Sequence, residues 1–430
     1  MRKAFLMLVL WSVSCLAQTA LNFELSLYHT IAAPTLGSTR SFAMGGVFSA
    51  TNSGVEALTG NPAGLVFCNG SQILASARMR MSGNDGADSD YYKVIGFQDY
   101  SRQYQPGFKL GNLGIAFPIS LPENGSRIIG AIGYRSYYDL SYKQEEEFES
   151  IVGGDQYSTT YEQMGMLNVM TFGAGFQVNE QFNLGVVFNL PMFSGYELEV
   201  HQDVRFSQNS QIGQTYTETA DVSGNGFLHL GAMFNVTPRL VLGATYTFGH
   251  KYELNDEEWT NTDQYGRGGI DTQKGDYEDI EFEVPSYWSL GASYLVSPNL
   301  LVAAELQNRP WEDFEINNYD LSSVTESGTT WRVGAELGRE VKFRVGYYSD
   351  SEPLLDADKD GVSKSGFTGG LGLTSGSLNV DLGLVFQRMQ YDIIYTTSYS
   401  PEPVDAEYNE TELLIYATLS YGFDFVLGGD

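Results

Sequence analysis

Between Ile128 and Phe425 the sequence repeats one unit: a short alternating apolar and polar run, a tight turn, a second such run, then a long polar stretch. Tight links stand at Asn179-Glu180, Thr237-Pro238, Ser297-Pro298, Gly338-Arg339-Glu340 and Ser375-Gly376, with a looser one over 121–126. The connections between hairpins are far longer, as over 201–224, 255–285 and 310–328. Successive strand side chains point to opposite faces, so each run carries one apolar face and one mixed face. Leu378, Val380, Leu382, Leu384 and Phe386 share a face, whereas Asn379, Asp381 and Gly383 take the other. Leu300, Val302, Ala304 and Leu306 oppose Ala303, Glu305 and Gln307 in the same way. A soluble sandwich with one buried face could produce any single run of this kind. Strictly alternating short and long links instead belong to an up-and-down antiparallel barrel in an outer membrane. Short turns then lie on the periplasmic side and long loops outside.

The runs number about fourteen, and an even count returns the C-terminus to the periplasmic side. The expected fold is all-β, a transmembrane antiparallel β-barrel. Abundant Tyr (28), Phe (25) and Gly (48) suit aromatic girdles and crowded strands. A barrel of that size has a lumen wide enough to leak unless something fills it. Residues 18–70 lack strand alternation and are rich in Gly, Ala, Ser and Thr, so they are expected to form an N-terminal hatch inside the lumen. A periplasmic extension is the competing reading.

Ahead of that segment, Met1-Arg2-Lys3, the apolar run 4–13 and Ser14-Cys15-Leu16-Ala17 have the form of a secretory signal peptide cleaved after Ala17. Cys15 raises a lipoprotein alternative, against which Ser12 stands where such signals carry Leu. The expected organisation is therefore 1–17 signal peptide, 18–70 hatch and 71–430 transmembrane β-barrel. Removal of the signal leaves Cys68 alone, so no intrachain disulfide can form. No segment offers about 18 uninterrupted apolar residues, so no spanning helix is expected. The formal net charge of -29 opposes nucleic-acid binding, because phosphate would be repelled.

Within the hatch segment lie Ala43-Met44-Gly45-Gly46-Val47-Phe48-Ser49-Ala50, then Gly54-Val55-Glu56-Ala57 and Asn61-Pro62-Ala63-Gly64-Leu65. Here the chain resembles the FadL/TodX family of outer-membrane transporters for long-chain fatty acids and other hydrophobic compounds. The specific element of the likeness is the Asn-Pro-Ala triplet after a Gly-Gly and small-residue stretch. The resemblance implies a fourteen-stranded barrel, a lumen hatch and a localisation in the bacterial outer membrane. It also implies a gating role for Asn61, Pro62 and Ala63, set against a kink in a barrel strand that opens a lateral exit. From the residues alone, Pro62 fixes its own φ and Asn61 can bond neighbouring backbone, so the triplet makes a rigid turn that could equally just hold the plug.

A fatty acid would need an apolar pocket with a cation for its carboxylate. Strand parity places Arg135, Arg309, Arg332, Lys342 and Arg344 toward the lumen, with Glu305, Glu336 and Asp381. Arg332 and Arg344 are the candidate ligand contacts; mutual pairing of these charges is the competing reading. Asp356, Asp358 and Asp360, followed by Gly361, match the start of a calcium loop, but Phe367 stands where the closing Glu belongs. A structural calcium there competes with a plain acidic turn, and no other cofactor is expected. The four histidines show no zinc-type spacing and there is no G-x-S-x-G, so no enzyme is expected.

The leading expectation is a monomer that passes hydrophobic small molecules, above all long-chain fatty acids, by lumen binding and hatch-gated lateral release into outer-membrane lipids. An accessory barrel of the PorV kind, serving a protein secretion system, has a similar hatch signature and is the main alternative. A structural or adhesive barrel is a third.

Overall fold

The computed structural model describes residues 37–82, 97–104, 107–119, 127–139, 142–150, 156–192, 194–205, 211–265, 269–276, 279–317, 319–320, 326–355, 360–395 and 404–424. Fourteen strands close into one antiparallel barrel. They are Ser71–Ser82, Gly107–Ile119, Ile128–Asp139, Gln156–Gln177, Phe182–Met192, Phe227–Thr237, Leu240–Thr247, Tyr287–Ser297, Leu300–Arg309, Gly328–Gly338, Val341–Leu355, Gly361–Ser375, Leu378–Tyr395 and Val404–Phe423. Each pairs with its neighbours in sequence, and the first closes on the last from Ser71↔Phe423 to Ser82↔Glu412. Closure leaves the barrel no free edge, which a bilayer requires because lipid cannot satisfy unpaired backbone.

Period-two patterning sets which side meets lipid. Along Phe227–Thr237, Phe227, His229, Gly231 and Met233 are buried, whereas Leu228, Leu230 and Phe234 are exposed. The same outward rows recur in Leu382, Leu384 and Phe386 and in Trp331, Val333 and Leu337. So large an apolar surface would aggregate in water but matches hydrocarbon. Trp331, Tyr347 and Phe367 form a lateral aromatic chain on three neighbouring strands, with ring centroids 5.2 and 4.8 Å apart.

The tight turns are made by the residues that marked them in the sequence. Asn179 Oδ1 accepts from the N–H groups of Gln181 (2.9 Å) and Phe182 (2.8 Å). Thr237 Oγ1 accepts from Arg239 (3.2 Å) and Leu240 (3.0 Å). Such short polar side chains close a turn by bonding backbone two or three residues on.

The long polar connections differ from expectation, because most are not loops. Phe97–Tyr104, Tyr142–Ser150, Ser194–Arg205, Gln211–Gly224, His250–Tyr265, Gly269–Asp276 and Ile280–Val284 are strands. Together with the first half of Gln156–Gln177 they form a second sheet that raises one side of the wall beyond the rim opposite the tight turns. The expectation failed because it judged these stretches by polarity. Period two persists within them: Tyr196, Leu198 and Val200 point inward, whereas Glu197 and Glu199 do not. Tyr196, Leu198, Val222, Tyr252, Leu254 and Phe282 join a continuous buried cluster with Val362, Met389 and Tyr391 from strands of the facing wall. The raised wall thus folds across the barrel mouth.

Candidate functional site: the hatch against the barrel wall

The segment before the first strand runs through a five-residue helix, Thr39–Ala43, and two 3-10 turns, Gly54–Thr59 and Pro62–Phe67. Ser38 caps the helix, its Oγ accepting from Ser41 N at 3.3 Å. These elements lie inside the barrel, in contact with strands on all sides of the lumen. Residues 1–17, read as a signal peptide, and the first part of the expected hatch, 18–36, lie outside the described residues.

Polar contacts fasten this segment to the wall. Glu305 Oε2 accepts from the backbone N–H groups of Phe48 (2.8 Å) and Ser49 (2.7 Å). Thr368 Oγ1 accepts from Gly45 N (2.8 Å) and donates to Ala43 O (3.0 Å). Ser293 Oγ donates to Ala50 O at 2.9 Å. Arg40 grips Glu336 with two parallel bonds of 2.9 and 3.0 Å, a geometry that holds both rigid planes in register. His229 Nε2 lies 2.6 Å from Gly60 O; a carbonyl only accepts, so the proton sits on Nε2 and Nδ1 accepts from Thr247.

Close approach of backbone to backbone completes the seat. A β-carbon at Gly185 would collide with Pro62, one at Gly243 with the Ser49 carbonyl, one at Gly334 with the Met44 carbonyl, and one at Gly346 with Gly45 N. Each glycine stands mid-strand on the lumen face, where a missing side chain lets the hatch touch the wall itself. This seam was not singled out from the sequence, although one inward glycine near the middle of successive strands was a visible signal.

The structure places the sequence-derived candidates as follows. Asn61, Pro62 and Ala63 are buried in this seam. Asn61 Oδ1 accepts from Ala63 N at 3.0 Å, capping the second 3-10 turn, with Pro62 at its first position. Asn61 Nδ2 donates to Ser49 O (2.6 Å) and Ala232 O (3.0 Å), tying two parts of the hatch to the wall. Behind the triplet the ladder between Phe182–Met192 and Phe227–Thr237 is unbroken.

One of the bulges in the wall lies elsewhere, where the pairing of Ser71–Ser82 with Gly107–Ile119 shifts between Ala75 and Ala77. Ser76 Oγ there accepts from Asn112 N at 2.7 Å. Next to it an apolar groove of about 460 Å³, lined by Ile73, Leu113, Gly114, Ile132, Gly133 and Leu419, opens on the lipid face. On its lumen side Gly114 and Gly133 meet hatch residues Val55 and Leu58, so the wall here is one backbone thick.

Arg332 and Arg344 face the lumen but are already paired. Arg332 Nη1 donates to Gln307 (2.8 Å) and Glu305 (3.3 Å), and Arg344 lies 2.8 Å from Glu336 and 2.5 Å from Asp381. Asp356 and Asp358 lie outside the described residues, and Asp360 is exposed just before the strand Gly361–Ser375. Among the described residues no group of three or more His, Cys, Asp or Glu is placed to hold a metal.

These features define a class: a fourteen-stranded β-barrel of the bacterial outer membrane with an internal hatch. The BamG family model matches residues 1–390, and the chain belongs to the BamG family. No curated protein matches the sequence. Among solved structures, the toluene transporter TodX of Pseudomonas putida is 15% identical and aligns with a TM-score of 0.59 over 91% of this chain and 99% of that one. A FadL homologue of Pseudomonas aeruginosa is 15% identical, with a TM-score of 0.58 over 90% and 98%. The CymD monoaromatic hydrocarbon channel is 14% identical, with a TM-score of 0.56 over 91% and 98%. At such identities the likeness to FadL and TodX is one of fold.

Proposed function

We propose that the protein is a sealed accessory barrel that works with the BAM machinery for assembling outer-membrane proteins. The observation that carries this reading is a lumen filled at two levels. The hatch is seated on backbone and ion pairs, and above it an aromatic and aliphatic core spans the mouth from the raised wall to Val362, Met389 and Tyr391. A transporter needs an entry route at the outer mouth, whereas an accessory barrel needs only a rigid wall and a tight seal. Membership of the BamG family supports the same partner. The test is affinity purification of the tagged full chain from native outer membranes in mild detergent. Stoichiometric recovery of the central BAM barrel is expected, and its consistent absence would sink the proposal.

A second reading, passage of hydrophobic compounds such as long-chain fatty acids, rests on the apolar groove beside the Ser76 bulge. In this scheme Leu58 covers Gly114 and Gly133 from within, and a hatch hinged at Asn61, Pro62 and Ala63 withdraws it to open a lateral exit. A transported chain gains about 0.8 kcal/mol per buried CH₂, which suffices to draw it from water without an aqueous channel. Oleate uptake in a transporter-deficient host, dependent on the chain and slowed by replacing the triplet with Gly-Ser-Gly, would favour this reading over the first.

A further inference from the structure

Among the described residues, most lumen-side arginines are neutralised by acids. Arg40, Arg78, Arg80, Arg309, Arg332 and Arg344 each lie against a carboxylate, respectively Glu336, Asp139, Glu412, Asp350, Glu305 and Asp381. Arg135 does not. It is 4% exposed, and its Nε has no acceptor. Its guanidinium stands 4.5 Å from the centre of the Tyr137 ring, and its other charge neighbours are Tyr138, Tyr287, His229 and His250.

Local structure explains how the residue came to be there. On the strand Ile128–Asp139, Gly133 meets the hatch and Arg135 is the next inward residue. Beyond it the register shifts between Ser136 and Tyr138, so Tyr137 is an extra residue and both tyrosines are buried. A bulge of this kind turns consecutive side chains to one face. Arg135 is therefore held between the hatch below and the aromatic core above.

The surrounding groups are donors more than acceptors. Tyr137 and Tyr287 share one hydrogen bond of 2.9 Å between their hydroxyls, which uses one of two protons. Tyr137 Oη also accepts from the guanidinium, which leaves the second proton and Arg135 Nε–H to donate. A water could satisfy the hydrogen bonds but would leave a full positive charge among aromatic rings, which is costly without a counter-ion.

We infer that Arg135, with the Tyr137–Tyr287 hydroxyl pair, holds a compact monovalent anion of halide or small-carboxylate size at the seam between hatch and upper core. The anion neutralises the guanidinium and accepts from Nε–H and a tyrosine hydroxyl. It is a resident structural ligand, independent of whether the barrel serves assembly or transport.

Two arms distinguish the sources of charge. Crystals of the full chain soaked in sodium bromide should show an anomalous bromine peak within about 3.5 Å of Arg135 Nε. Thermal unfolding in formate, compared with gluconate at equal ionic strength, should shift upward by about 2 °C. A bromide peak alone assigns a halide, and a formate shift alone assigns a carboxylate; either supports the site. Arg135→Met should abolish the anion dependence and Arg135→Lys should retain it. Neither peak nor shift in the wild-type protein overturns the inference, as does an Arg135→Met variant with undiminished anion dependence.

Discussion

One oxygen of Glu305 accepts two hatch N–H groups while the other faces Arg332, so a single residue joins plug, wall and ion network. Hydrogen bonds to a charged acceptor contribute about 1.5–3 kcal/mol each, and a buried donor left without its partner adds a desolvation cost. Glu305→Gln keeps the volume but loses the charge, so the hatch should dock less firmly. Limited proteolysis should then cut within 45–55 while the barrel remains heat-modifiable on gels; an unchanged digestion pattern would refute the docking role. Glycine positions set a harder limit. A β-carbon at Gly231 would collide with Asn61 Oδ1, and strand backbone closed into a ladder cannot retreat. Gly231→Val should therefore unseat the hatch, whereas Leu230→Val, one residue away on the lipid face, should be tolerated. Comparing protease sensitivity of the two variants tests whether the seam, rather than the strand, is responsible.

At the scale of elements, the hatch and the raised wall are separate seals. The hatch is irregular because its segment has too little period-two patterning for a strand and, among the described residues, one short helix, so tertiary contacts hold it. Those contacts permit a direct test of movement. An Ala50→Cys and Ser293→Cys pair, placed where Ser293 now bonds Ala50 O, should lock the hatch to the wall when oxidised. If assembly is the function, the locked protein should complement a deletion strain fully, and loss of complementation reversed by reductant would instead reveal a moving hatch. The raised wall depends on its inward row. Leu198 is 5% exposed in the upper core, so Leu198→Asp would bury an unpaired carboxylate and should loosen that core by several kcal/mol. Hydrogen exchange should rise in 194–224 and 250–265 while the barrel strands stay protected; uniform exchange across the chain would contradict separate seals.

For the whole molecule, closure and filling have opposite consequences for conduction. Fourteen strands enclose a lumen that would pass ions if empty, but the hatch and the spanning core occupy it. The intact protein should be electrically silent in planar bilayers. Deletion of 37–66 should raise conductance by an order of magnitude or more if the hatch carries most of the seal. A silent deletion variant would show instead that the upper core suffices.

The sequence by itself determined the barrel. Alternating apolar rows, turn residues such as Asn179 and Thr237, and unequal link lengths are local properties, and a membrane leaves a chain with them one closed arrangement. It also determined which residues look inward, since parity along a strand admits no exception without a bulge. The polar strands beyond the rim were hidden because their neighbours, not their composition, bury Tyr196, Leu198 and Val222. Only the tertiary structure decided the fate of the inward charges. Arg332, Arg344 and Arg135 are alike in sequence, each an arginine on a lumen face. Their differences depend on strands distant in the chain: Glu305 stands beside Arg332 and Asp381 beside Arg344, but tyrosines from a bulge and from Tyr287 surround Arg135. Coulomb pairing depends on distance in space, and closing the barrel is what brings residues far apart in sequence within a few ångströms.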